Sequence, residues 1–335
     1  MAMASRLLEV DRLRVGFDIG GRSLEVIRGI SFGVDHQQAV GLVGESGSGK
    51  TLTATAIIRL IAPPGRILGG SIRFNGRDLV DLPAPELARI RGAEISMVFQ
   101  DPTTSLNPVF TIGTQLIDVI RAHQGVGRKA AAGIAAEILK SVGFSSPKSR
   151  LRSYPHELSG GMRQRVIIGM AVSCQPKLLI LDEPTTALDV TVQAQVIKLI
   201  RQLKERLGFS ILFITHNLDL AAEFCDRVIV MYAGEVVENA PVESVFAAAR
   251  HPYTKALLEC VPRLEADAGA LSTIAGQPPA PGAPIAGCAF AARCAFAFAR
   301  CRDERPQLTS VEREHQVACH AVADNLTASK RGVSA

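Results

Sequence analysis

Short apolar runs separated by polar turns fill the first hundred residues and return after residue 175. β-like runs occupy residues 7–17 and 24–34, and residues 39–43, Ala-Val-Gly-Leu-Val, are apolar without alternation. Further strands are expected at 71–74, 95–99, 178–181, 211–214 and 228–231, several of them apolar throughout, as in a sheet covered on both faces. Residues 51–60 read as a helix of small and apolar residues. Between residues 100 and 157 the strand signal disappears. Residues 112–121 and 129–142 carry a helical pattern, the second rich in Ala, with Ile134, Ile138 and Leu139 as its apolar positions. The pattern predicts an α/β core interrupted by an α-helical insertion at about 101–157. Beyond about residue 240 the composition shifts. Residues 266–286 are rich in Pro, Gly and Ala around Gln277-Pro278-Pro279-Ala280-Pro281 and predict a linker, and residues 328–335 predict a frayed tail.

With 335 residues, 47% of them hydrophobic, the chain can bury a large core, and its length suggests two domains. The N-terminal residues lack an apolar signal core, and no stretch reaches the ~18 apolar residues that span a bilayer. The expected location is the cytosol, or the cytosolic face of the membrane through partners. The net charge of +5 changes little: 37 basic residues are scattered, aromatics are 5%, and no nucleic-acid surface is implied.

Gly44-Glu45-Ser46-Gly47-Ser48-Gly49-Lys50-Thr51 is a full G-x-x-x-x-G-K-T phosphate loop, set between an expected strand and an expected helix. Gly44, Gly47 and Gly49 let backbone N–H groups converge on phosphate, Lys50 supplies charge to the β- and γ-phosphates, and Thr51 is placed to ligate Mg²⁺. Asp182 ends the apolar run 178–181, where a carboxylate can hold Mg²⁺ through water. Glu183, one residue on, is the candidate general base for an attacking water. Leu158-Ser159-Gly160-Gly161 opens a second helix, with Ser159 as a natural N-cap and the glycines exposing N–H groups. That makes a second anion site on one chain, which one nucleotide cannot easily share with the first.

The phosphate loop, Leu158-Ser159-Gly160-Gly161-Met162-Arg163-Gln164-Arg165 and Leu178-Leu179-Ile180-Leu181-Asp182-Glu183, in this order, resemble the ATP-binding cassette (ABC) family. The resemblance implies a P-loop NTPase core with an antiparallel β-subdomain, the helical insertion, and a Cys-bearing C-terminal extension. The expected boundaries are 1–245 for the nucleotide-binding domain and 246–335 for the extension. The same resemblance places Asp189, in Pro184-Thr185-Thr186-Ala187-Leu188-Asp189, at a subunit interface. It makes His216 a switch histidine on the γ-phosphate and Gln100 a sensor of Mg²⁺ and water. Taken alone, His216 is a residue at a strand end and Gln100 has no evident role. Phe17 stands where the family stacks an aromatic on adenine, and it equally suits a core position. In the family two subunits face head to tail, so that Ser159, Gly160 and Gly161 cover the γ-phosphate held by the partner's loop.

Thr185 to Gln195, Val230-Met231-Tyr232-Ala233-Gly234 and above all His251-Pro252-Tyr253-Thr254-Lys255-Ala256-Leu257-Leu258 resemble the ATPase subunits of bacterial dipeptide and oligopeptide importers. Met162 is similar to the D-type subunit, which pairs with a homologous F-type subunit. The implied partners are that subunit, two integral membrane permeases and, indirectly, an extracytoplasmic peptide-binding protein, with no nucleic acid. Nickel and glutathione importers share much of the pattern, and a soluble cassette ATPase of translation or DNA repair is a further alternative. Of seven Cys, Cys174, Cys225 and Cys260 are isolated and suit core or surface packing. Cys288, Cys294, Cys301 and Cys319 cluster near the end, where a reducing cytosol favours metal binding over disulfides. Four thiolates suit an iron–sulfur cluster or zinc, and the lack of a C-x-x-C pair weakens the zinc-ribbon reading. Related importer subunits carry a [4Fe–4S] cluster on a similar Cys pattern, and buried unliganded thiols are the remaining alternative.

Overall fold

The computed structural model describes residues 6–101, 105–186, 188–260 and 273–324. The expected linker before residue 273 and the tail at 328–335 lie outside the described residues. In chain order the strands are β1 (Leu8–Ile19), β2 (Arg22–Val34), β3 (Ala39–Val43), β4 (Gly65–Phe74), β5 (Arg77–Asp78), β6 (Ile95–Val98), β7 (Leu178–Asp182), β8 (Ser210–Thr215), β9 (Arg227–Tyr232), β10 (Glu235–Pro241), β11 (Thr309–Glu312) and β12 (His315–Val317). The helices of seven residues or more are α1 (Lys50–Ile57), α2 (Ala84–Ile90), α3 (Ile112–Gln124), α4 (Arg128–Ser141), α5 (Gly160–Val172), α6 (Val190–Leu207), α7 (Leu218–Phe224), α8 (Val242–Ala248) and α9 (Pro252–Glu259). The chain divides into two compact units, one of residues 8–33, 39–80 and 214 onward, the other of residues up to 7, 34–38 and 81–213.

In the first unit β1 lies antiparallel to β4, with Leu8 opposite Phe74 and Val10 opposite Ile72, in a sheet ordered β2-β1-β4-β5. The buried face of β1 runs Leu8, Val10, then Leu13, Val15, a change of phase that a simple alternation does not predict. Arg12 sits at positive φ between them, and the register breaks there, so a bulge returns the apolar side chains to the core. In the same unit β3 runs parallel to β9, Val43 opposite Val230, and β9 is antiparallel to β10. β12 and β11 continue the ladder beyond β10, so the C-terminal extension adds two strands to this sheet. All five residues of β3 are buried, which explains why it reads as a continuous apolar run.

β10 is not among the expected strands, because Glu235, Glu238 and Asn239 interrupt its apolar pattern, yet all three are buried. Glu238 accepts from the backbone N–H of Arg250 at 2.7 Å and of His251 at 3.0 Å, and pairs with His315 Nε2 at 2.7 Å. Burial pushes its carboxyl up, but the hydrogen bonds from His315 and those two backbone groups outweigh that and leave it below the ordinary range.

In the second unit β6 is parallel to β7, with Ile95 opposite Leu178 and Val98 opposite Leu181, and β8 follows β7 in order. The region 101–157 holds α3 and α4 and no strand among its described residues. Helix α4 differs in detail from expectation: Ala131, Ala135 and Leu139 are its buried stripe, while Ile134 and Ile138 are half-buried. Small residues at i and i+4 let a neighbouring helix approach closely, so alanines face inward. Helix α6 buries Val196, Ile197, Leu199, Ile200 and Leu203 on one face and ends at Gly208. No helix among the described residues is long and apolar enough to cross a membrane.

Candidate functional site

The loop between β3 and α1 belongs to the first unit. Gly49 is the N-cap of α1 and offers no side chain to its first N–H groups, and no acidic residue stands in the first turn. A helix start of that kind suits an anion. Lys50 is buried, and its ammonium lies back over the loop, donating to the carbonyls of Gly44 at 2.8 Å and Glu45 at 3.0 Å. Ser48 Oγ is buried and has no hydrogen-bond partner among the described residues. Ser46, Gly47 and Thr51 are exposed. Glu45 is held on three sides: its N–H donates to Tyr253 Oη at 2.8 Å, its carbonyl accepts from Lys50, and its carboxylate pairs with Arg293. His216 lies exposed just after β8, and Asn217 beside it caps α7 by accepting from the N–H groups of Asp219 and Leu220. Phe17 is half-buried on β1 opposite Gly65.

The other expected residues belong to the second unit. Asp182 is buried at the end of β7, and Glu183 follows at φ 44°, a left-handed conformation uncommon for a non-glycine residue. Its Oε2 accepts from Gln100 Nε2 at 3.1 Å and from Thr186 Oγ1 at 2.9 Å. Two residues 83 positions apart in sequence therefore meet, and the carboxylate is fixed in place. Ser159 caps α5 by accepting from Met162 N–H at 3.3 Å, with Gly160 and Gly161 as the first helical residues. Ser159 and Gly161 line an open pocket together with Arg150 and Arg165. Asp189 caps α6, accepting from Val192 N–H at 2.9 Å, a local role absent from the sequence expectations although Asp followed by a helical stripe signals it.

The four clustered cysteines, Cys288, Cys294, Cys301 and Cys319, line one small cavity with His251, Phe290, Phe296 and His320. Cys288 N–H donates to the Cys301 carbonyl at 2.8 Å. Burial first, and the neighbouring thiols second, push the Cys288 thiol up to about 12, and burial also raises Cys319. No group of three or more His, Cys, Asp or Glu side chains among the described residues could hold a single metal ion. Cys225 is buried, and Cys174 and Cys260 are half-buried.

A family model described as ABC transporter matches residues 27–186. The dipeptide transport ATP-binding protein DppD of Escherichia coli is 45% identical over 95% of this chain and 98% of its own length. The chain belongs to the ATP-binding subunits of ABC transporters. It is an ATPase of that family, coupling hydrolysis to transport. A second model, described as the oligopeptide/dipeptide transporter C-terminal region, matches residues 237–301 of this ABC subunit. The oligopeptide transport ATP-binding protein OppD of Bacillus subtilis is 46% identical over 95% of this chain and 89% of its own. A solved dimeric ATP-binding cassette, in a post-hydrolysis state bound to ADP and Pi, matches with a TM-score of 0.62 at 25% identity, covering 70% of this chain and 98% of that one.

Proposed function

We propose that this ABC subunit hydrolyses ATP to drive uptake of di- and oligopeptides into a bacterial cell, working at the cytoplasmic face of the inner membrane. The match of residues 237–301 to the oligopeptide/dipeptide C-terminal region carries the cargo assignment. The backbone of Gly44, Glu45, Ser46, Gly47, Ser48 and Gly49 and the Lys50 ammonium take the phosphates, with Thr51 and Asp182 serving Mg²⁺. Gln100 orients the attacking water beside Glu183, the general base, and His216 contacts the γ-phosphate. The Gln100–Glu183 hydrogen bond supports that pairing. Phe17 stacks on adenine.

Ser159, Gly160 and Gly161 cover the γ-phosphate held by a second subunit, with Asp189 at that interface. The capped start of α5 and the arginines of the adjoining pocket suit an anion brought from outside the chain. The second subunit is a homologous F-type chain, and both dock on two membrane permeases served by an extracytoplasmic peptide-binding protein. Uptake of labelled di- and oligopeptides in a strain lacking this chain tests the reading. Wild type is expected to restore uptake and Lys50→Ala to leave it at background. Uptake that never depended on the chain sinks the peptide cargo and returns nickel or glutathione to consideration.

For the four-thiol cavity we favour a [4Fe–4S] cluster over zinc. A zinc ion needs its sulfurs about 2.3 Å from one centre, and no such single-ion group is present among the described residues; a cluster separates its thiolate ligands more widely. Buried thiols that raise one another's pKa are relieved by a cationic iron core. His251 adds a second observation: its Nδ1 accepts from Tyr253 N–H at 3.0 Å, and its buried Nε2 has no hydrogen-bond partner among the described residues. Cys288, Cys294, Cys301 and Cys319 would hold the cluster, which would pin the extension. Anaerobic purification is expected to give a brown protein with about four iron per chain, lost on Cys301→Ser. A colourless, iron-free wild type rules the cluster out.

A further inference from the structure

The Cys-bearing extension reaches the phosphate loop through one side chain. Arg293 lies in the helical turn between Cys288 and Cys294, and its side chain is 5% exposed. All five of its N–H donors are used. Nη1 donates to Glu45 Oε2 at 2.7 Å and to Tyr232 Oη at 3.3 Å, and Nη2 donates to Glu45 Oε1 at 3.0 Å and to the Ile274 carbonyl at 3.0 Å. Nε donates to the Ala275 carbonyl at 3.0 Å. The guanidinium also lies 5.8 Å from the Tyr232 ring centre and 5.9 Å from that of Phe290. Phe290 in turn packs on Tyr253, 5.3 Å between ring centres, and Tyr253 holds the Glu45 N–H.

This arrangement solves an electrostatic problem. Glu45 places a carboxylate in a loop whose partial charges are otherwise arranged to receive phosphate. Left unpaired, that carboxylate repels the nucleotide; paired in a two-pronged fork, it is neutralised and the loop backbone is fixed. We propose that Arg293 is a positioning residue for ATP binding, which neutralises Glu45 and, with Tyr253, holds the loop in its phosphate-receiving form. The nucleotide site of this subunit then depends on the extension. The His251-Pro252-Tyr253 motif gains a role in the same arrangement, since His251 caps α9 and α9 presents the Tyr253 hydroxyl to the loop. The inference rests on the reading of residues 44–51 as the phosphate site.

The test is Mg-ATP affinity and ATPase rate of the full-length subunit carrying Arg293→Met, Glu45→Gln, both together, Arg293→Lys, or Lys50→Ala. Arg293→Met is expected to weaken ATP binding by about tenfold, because a partly buried carboxylate loses its partner. Glu45→Gln alone is expected to cost less than about threefold, and adding it to Arg293→Met to recover most of the affinity, since the repelling charge is gone. Arg293→Lys keeps the charge without the fork and falls between. Once ATP saturates, kcat of Arg293→Met stays within about twofold of wild type. Unchanged ATP affinity in Arg293→Met overturns the proposal, as does a double variant no better than Arg293→Met. If Lys50→Ala binds ATP like wild type, the phosphate-loop reading itself has failed; if it does not bind while Arg293→Met does so normally, only this inference falls.

Discussion

Glu183→Gln is expected to lower the rate of ATP hydrolysis by about 10³-fold and to leave nucleotide affinity near wild type, the size that removal of the proposed general base predicts. The expectation comes from how the carboxylate is held. Buried β7 brings the chain to Asp182, and the next residue turns at φ 44°, so that Glu183 leaves the strand in a different direction from its neighbour. Gln100 and Thr186 both donate to Oε2. A glutamine has nearly the same shape and its amide oxygen can accept both bonds, so the fold around it is kept. What it lacks is the ability to take a proton from water. Turnover at saturating ATP, measured beside equilibrium binding of ATP, separates the two effects. A variant that hydrolyses within a few-fold of wild type shows that the base lies elsewhere.

The second large effect is on the loop itself. Gly44→Ala is expected to lower stability by about 3 kcal/mol and to abolish ATP binding, through backbone strain and overpacking together. Gly44 has φ 154°, and a Cβ there would stand 2.2 Å from the Met231 carbonyl oxygen and 2.9 Å from Ser48 Oγ. Met231 belongs to β9, one residue beyond Val230, which pairs with Val43 of β3, and it is itself paired with Val236 of β10, so its carbonyl cannot retreat without disturbing the sheet. Gly47 is the internal comparison. It also has positive φ, 80°, but a Cβ there meets nothing within 4 Å. Gly47→Ala therefore suffers only the conformational penalty, about 1–2 kcal/mol. Thermal melts of the two variants beside wild type decide the matter, and equal losses would show that the contact with Met231 is not the cause.

Much of the core and its nucleotide motifs is legible in the chain because their signals are local. The strands β3, β7 and β8 are buried along their whole length, and burial on both faces leaves uninterrupted apolar runs that need no partner to be recognised. The phosphate loop and the start of α5 are likewise set by residues next to one another: glycines for backbone freedom, Ser159 for the cap. β10 is hidden from the sequence for the converse reason. Its buried Glu238 is tolerated only because His315, 77 positions away, and the backbone at Arg250 and His251 come to meet it.

The extension shows the same division at larger scale. Its cysteines can be counted in the sequence, and their residue type limits what they bind. That Cys319 shares a cavity with Cys288, Cys294 and Cys301 is a tertiary fact. So is the contact of Arg293 with Glu45 across 248 positions, for which no spacing or periodicity gives a hint. The nucleotide chemistry and the family can be read along the chain, because phosphate recognition and strand burial depend on neighbouring residues. Which buried charges are neutralised, and by whom, emerges on folding, because a charge is stabilised by whatever the fold brings within about 3 Å of it, however distant along the chain.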